Sequence, residues 1–160
     1  MLNKIITVDP GLNTGIALWR GDDFPATVDI ICPARLKDWK DRLKCMWDIF
    51  NNILSDFKPV SIFIEETVYY ETDEISRQAM KRGDLFHLNG LSFGYAALCI
   101  PCGISADFIP PFQWKGQMSK QATADRIFQI NGVRYSSEHI TDAVGIGFGI
   151  QKRLVWRIEK

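Results

Sequence analysis

The chain has 160 residues, 46% of them hydrophobic and 24% charged, and its 19 basic and 19 acidic side chains cancel. This is enough apolar material for one core, so a single domain over 1–160 is expected. The balance excludes a basic tail and a disordered acidic chain, but it leaves room for a basic rim around a local acidic site.

The first residues, "MLNKIITVD", hold no long apolar segment and no small-residue cleavage site. No apolar run approaches the roughly 20 residues of a bilayer span. The expectation is a soluble, cytoplasmic protein with no membrane partner. Four cysteines stand at 32, 45, 99 and 102. "CIPC" is the one CxxC, with no second pair at zinc-ligand spacing, and it closes a predicted helix rather than opening one. Free, partly buried thiols are expected.

Residues 4–9 and 15–20 read as strands joined by the turn "PGLNTG", and 26–32 as a third strand of the same meander. The period then changes. Leu36, Trp39, Leu43, Met46, Trp47, Phe50, Ile53, Leu54 and Phe57 recur every three or four residues, an amphipathic helix that stops before Pro59. "VSIFIEE" (60–66) is a fourth strand. A helical pattern runs from 73 to 98 with irregularity at Gly83, Gly90 and Gly94. "ISADFIPP" (104–111) is a fifth strand, stopped by prolines. Helices follow at 119–130 and 136–156, the latter capped by Ser136 or Ser137, with room for one extra helix before the last. The order βββαβαβα predicts an α/β fold, a mixed sheet covered by helices on its faces.

Carboxylates end two of these strands: Asp9 on the first, Glu65 and Glu66 on the fourth. His139 and Asp142 lie three apart on the last helix and so share a face. Taken singly, Asp9 is a turn residue, the Glu pair a solvated rim and His139 a surface histidine. Jointly they close on one predicted sheet. Like charges gathered there need a divalent cation, and Mg²⁺ or Mn²⁺ suits such an oxygen-lined site, two such ions being able to flank a phosphodiester. Strand alternation turns Glu66 away from Glu65, which makes it a secondary candidate. Tyr69 and Tyr70 read either as stacking platforms for unpaired bases or as packing. Arg77, Lys81 and Arg82 form a basic stripe suited to phosphates. Lys152, Arg153, Arg157 and Lys160 read as a solvated tail.

"ITVDPGLNTGIAL", "SIFIEE", "PPFQWKGQMSKQATADRI" and "HITDAVGIG" resemble, in this order, the motifs of the RuvC-like Holliday junction resolvases of the RNase H-like superfamily. The phage members are most similar in "WKG…K", a segment that lacks the Gly-rich run of the bacterial cellular pattern. The resemblance spans nearly the whole chain. It implies an RNase H-like fold with a five-stranded mixed sheet, and a homodimer that cuts four-way DNA junctions with two Mg²⁺ ions per site, leaving 5′-phosphates. It implies Asp9, Glu65, His139 and Asp142 as catalytic metal ligands, with His139 as ligand or proton shuttle. Lys115 and Lys120 are implied as contacts to the DNA backbone, Lys120 within the catalytic set, and 84–98 as the dimer helix. Two alternatives stay open: a broader nuclease of the same fold acting on flaps or hybrids, and, more remotely, an actin-like phosphate-binding fragment. A junction-binding protein without activity fits the full acidic set poorly.

Overall fold

The computed structural model describes residues 4–21, 24–69 and 74–151. Its strands are β1 (Lys4–Asp9), β2 (Asn13–Arg20), β3 (Ala26–Ile31), β4 (Ser61–Glu65) and β5 (Ser105–Ile109). They form one sheet in the order β3-β2-β1-β4-β5. The meander β1–β2–β3 is antiparallel, while β4 and β5 add in parallel beside β1. Among the described residues the helices are α1 (Trp39–Phe57), α2 (Glu74–Arg82), α3 (Asp84–Cys99), α4 (Pro111–Trp114), α5 (Lys120–Asn131) and α6 (Glu138–Ile150).

Alternation along the central strands sorts the sheet into two faces. Ile6 and Val8 of β1, with Ile62 and Ile64 of β4, meet Phe50 and Leu54 of α1 and Leu91 and Tyr95 of α3. The intervening residues look the other way. There Ala17 and Trp19 of β2 pack with Val144 and Phe148 of α6, Trp114 of α4 and Ile127 of α5. Glycines let α6 lie close: a Cβ on Gly147 would fall 2.0 Å from the Trp19 ring. The Thr7 hydroxyl donates to the Ala143 carbonyl at 2.6 Å and accepts from Trp19 Nε1 at 2.9 Å, so α6 is tied to the middle of the sheet.

Several boundaries differ from the sequence expectation for local reasons. The first helix begins at Trp39 rather than Leu36, because the Asp38 side chain accepts from the Lys40 N–H and caps it there. Where one helical pattern was expected over 73–98, the described residues form two helices, α2 and α3: Gly83 adopts φ 78°, a left-handed conformation that ends α2 before α3 starts. The extra helix before the last is α5, and the short α4, opened by Pro110 and Pro111, is an element the sequence expectation did not include. Ser137 is the cap of α6, its side chain accepting from the Ile140 N–H. By length and composition the stretch Asp84–Cys102 could cross a membrane, yet Leu91, Tyr95 and Cys99 are sealed against the sheet. Cys99 is buried, Cys102 exposed and all four cysteines are free.

Candidate active site

β1 and β4 run parallel with Val8 beside Ile64. The next residue of each strand, Asp9 and Glu65, therefore ends its strand side by side with the other, on the face that α6 covers. Both are largely covered, 8% and 9% exposed. The turn after Asp9 is pinned through Thr14, whose hydroxyl donates to the Gly11 carbonyl at 2.7 Å and lies 3.0 Å from the Tyr95 hydroxyl. Across the hairpin Asp9 pairs with Gly15, and a Cβ there would stand 2.0 Å from the His139 carbonyl oxygen. The missing side chain is what lets the first turn of α6 reach the strand ends.

That approach delivers Asp142. Asp9, Glu65 and Asp142 each offer a carboxylate oxygen, and these oxygens lie within 4.8 Å of one another. They line a cleft of about 290 Å³. Lys115, just past α4, reaches in from the side: its Nζ is 3.5 Å from Glu65 Oε1 and 3.7 Å from Asp142 Oδ2. His139 comes one turn before Asp142, and its Nδ1 lies 2.7 Å from Asp9 Oδ2.

The electrostatics follow from this crowding. Burial, then the neighbouring Asp9 charge, push Glu65 up to about 8 against the opposing pull of Lys115. Asp142 is raised as well, chiefly by burial, with Lys115 again opposing. His139 is raised by its hydrogen bond to Asp9, which outweighs the opposing effect of burial. Burial and the Asp9 charge thus favour the protonated form of Glu65. Three hard oxygen donors this close, with an ammonium already resting between two of them, fit Mg²⁺ or Mn²⁺.

The structure brings together three of the residues expected from the sequence as metal ligands and sets two apart. His139 contacts Asp9 and is not part of the oxygen cluster. Glu66 is exposed beyond the end of β4, its N–H donating to the Ile109 carbonyl at 3.0 Å, and it lines only the cleft. Lys120 also lines the cleft but pairs with Glu138 at 2.6 Å, which raises its pKa. Tyr69 is 39% exposed near the cleft-lining Val68, while Tyr70 and Lys152, Arg153, Arg157 and Lys160 lie outside the described residues. On α2, Arg77 pairs with Glu74 and Arg82 with Asp84, and Lys81 is exposed. The sequence reading missed the position of Lys115 between carboxylates. Its only signal is the Pro-Pro pair that opens α4 and turns the chain back over the sheet.

No protein-family model and no curated protein matches this chain. Solved structures do. RuvC of T. thermophilus in complex with a Holliday junction substrate superposes with a TM-score of 0.68 at 16% identity, over 91% of each chain. Thermus thermophilus RuvC in a further structure gives 0.66 at 17% identity, covering 91% of this chain and 92% of that one. The yeast mitochondrial Holliday junction resolvase Ydc2 gives 0.62 at 14% identity, covering 92% of this chain and 77% of its own. Strand order, the helices on both faces and these superpositions agree: the chain has the RuvC-like fold.

Proposed function

We propose that this chain is a metal-dependent endonuclease that resolves four-way DNA junctions by paired phosphodiester hydrolysis, leaving 5′-phosphates. The observation that carries the reading is the meeting of Asp9, Glu65 and Asp142 at the ends of two central strands and one helix, within 4.8 Å. It stands in a fold shared with T. thermophilus RuvC in complex with a Holliday junction substrate and with the yeast mitochondrial Holliday junction resolvase Ydc2.

Asp9, Glu65 and Asp142 would hold the metal. One or two Mg²⁺ ions, or Mn²⁺ in their place, would neutralise the scissile phosphate and make a water acidic enough to attack it. The remaining steps fall to the side chains. Asp9 is oriented by His139, whose ring is placed to take up or release a proton near neutral pH. Lys115, within reach of both Glu65 and Asp142, would offer its point charge to a phosphate oxygen were a metal held by those carboxylates. Lys120, Lys81, Arg77 and Arg82 would border the path of the backbone, with Tyr69 near the crossover, where a base stack is worth about 1–3 kcal/mol.

A homodimer is part of the proposal. Phe86, Phe93 and Ile100 recur every seven residues along α3 and its extension, and they are 79%, 62% and 77% exposed. Such a stripe is the seam a second copy would cover. A cytoplasmic working place belongs to the same proposal.

The test is cleavage of a synthetic four-way junction beside duplex, flap and RNA–DNA hybrid controls. Symmetric paired nicks on the junction alone support the reading. Equal cutting of flaps or hybrids replaces it with the broader nuclease. Asp142→Asn is expected to abolish cutting while junction binding survives.

A further inference from the structure

A second cavity, of about 370 Å³, lies on the other side of His139 from the carboxylates. Pro10, Leu88 and His139 line both spaces, so the two adjoin. Their chemistry differs. The second cavity is walled mainly by apolar groups, with Leu12 and Leu91 beside a stack of two flat rings: Trp39 and His87 lie 3.9 Å apart, 6° from parallel. The Arg42 guanidinium sits 5.3 Å from the centre of the Trp39 ring. His87 keeps its place in the stack although its Nδ1 is buried with no hydrogen-bond partner, a cost that simple surface packing does not require. The volume falls in the range of pockets that take small flat molecules, roughly 300–1,000 Å³.

We infer that this cavity receives an unpaired base of the strand being cut, with Trp39 as its principal aromatic contact. The inference rests on the nuclease reading above and names a subsite of it. A nucleotide whose phosphate sits among Asp9, Glu65 and Asp142 places its own or its neighbour's base within one nucleotide's reach, past the His139 ring. Leu12, Leu88 and Leu91 accept the face of any base while the Trp39–His87 stack closes the wall with its edge, and Arg42 supplies positive charge for the adjoining backbone. An unstacked base is least costly where strands cross, so the cavity would favour branched over continuous duplex DNA.

The experiment compares single-turnover cutting by wild type, Trp39→Ala and Leu12→Trp. The four-way junctions are either intact or lack the base on one side of the cut, each side in turn. Trp39→Ala removes the contact. Leu12→Trp fills the cavity from a side chain that is 40% exposed, so the second variant stays informative if the first folds poorly. Loss of the base on one side is expected to slow wild type at least about fivefold. Each variant is expected to be slowed similarly on intact DNA and to be indifferent to the missing base. If base loss leaves wild type unaffected, or slows the variants by the same factor as wild type, the cavity does not hold the base and the inference falls while junction cleavage stands. If Leu12→Trp instead converts a sedimenting dimer to monomer, the cavity seats a second copy, which also overturns it. A wild type that cuts no branched DNA refutes the nuclease reading itself.

Discussion

Gly15→Ala tests how the site is assembled without presupposing what it cuts. The added methyl would stand 2.0 Å from the His139 carbonyl oxygen, 2.1 Å from its carbon and 2.5 Å from the Ile140 nitrogen. All three are backbone atoms, so no side chain can swing aside. Ordinary contact begins near 3.4 Å, so the first turn of α6 must withdraw by 3.4 − 2.0 = 1.4 Å. Overpacking of this kind costs about 1–3 kcal/mol. The withdrawal also strains the 2.6 Å bond from Thr7 to Ala143 and the 2.7 Å contact of His139 with Asp9. A buried bond left open costs about 1–3 kcal/mol. Against this, Ala in place of Gly returns about 0.5–1 kcal/mol of chain entropy. The net loss is about 3 kcal/mol, a fall in melting temperature of roughly 6–12 °C for a chain of this length. Asp142 moves with α6, and a displacement of about 1 Å at a catalytic group can cost roughly 10²-fold in rate. Thermal melts with and without Mn²⁺ read both effects. Gly90→Ala is the control, since a Cβ there meets nothing within 4 Å, and it is expected to be neutral or slightly stabilising. A Gly15→Ala protein that melts with wild type and binds Mn²⁺ equally well would refute the close approach of α6 to β2.

The same geometry makes three further predictions. In metal-free protein, Glu65 titrates near 8 when folded and near 4.5 when unfolded, so between these values the folded state holds the extra proton. Stability is therefore expected to fall as pH rises from about 5 to 8, and the raised His139 acts in the same direction above its ordinary value. Mn²⁺ should raise the melting temperature more at pH 8 than at pH 5, and melts at the two pH values check this. Replacing Lys115 by Met removes the ammonium from between Glu65 and Asp142. A half-buried contact of this kind is worth about 1–2 kcal/mol, so calorimetry at pH 8.5 is expected to show metal binding roughly 5- to 30-fold tighter. Junction cutting at saturating metal is expected to slow in the same variant. Asp9→Asn replaces one of the three carboxylates by a neutral amide and takes away the negative partner of His139, so Mg²⁺-dependent cutting should disappear; near wild-type cutting would rule out Asp9 as a carboxylate ligand.

How far the site could be read in advance depended on what each residue's position obeys. Asp9 and Glu65 are governed by strand alternation: each follows an inward apolar residue, and the parallel pairing of Val8 with Ile64 sets them side by side. Three-residue spacing placed His139 and Asp142 on one face of α6. It could not tell that the imidazole would be spent on Asp9, because that depends on the missing side chain at Gly15 in another element. Gly83 was legible as an irregularity but not as a break, for a related reason. Helical periodicity describes side chains, whereas the break is a backbone angle that only glycine takes cheaply. Lys115 was the least legible. It follows a four-residue helix too short for any period, and its place is set by Trp114 wedging under α6, where a Cβ on Gly145 would lie 2.3 Å from the Trp114 ring. The residues that repeat a pattern were thus legible, and those positioned by one glycine meeting one distant group were not. That division has a consequence for reading related chains. A carboxylate at each of two strand ends marks where such a site begins, but it takes small residues on β2 and α6 to bring the third carboxylate within reach.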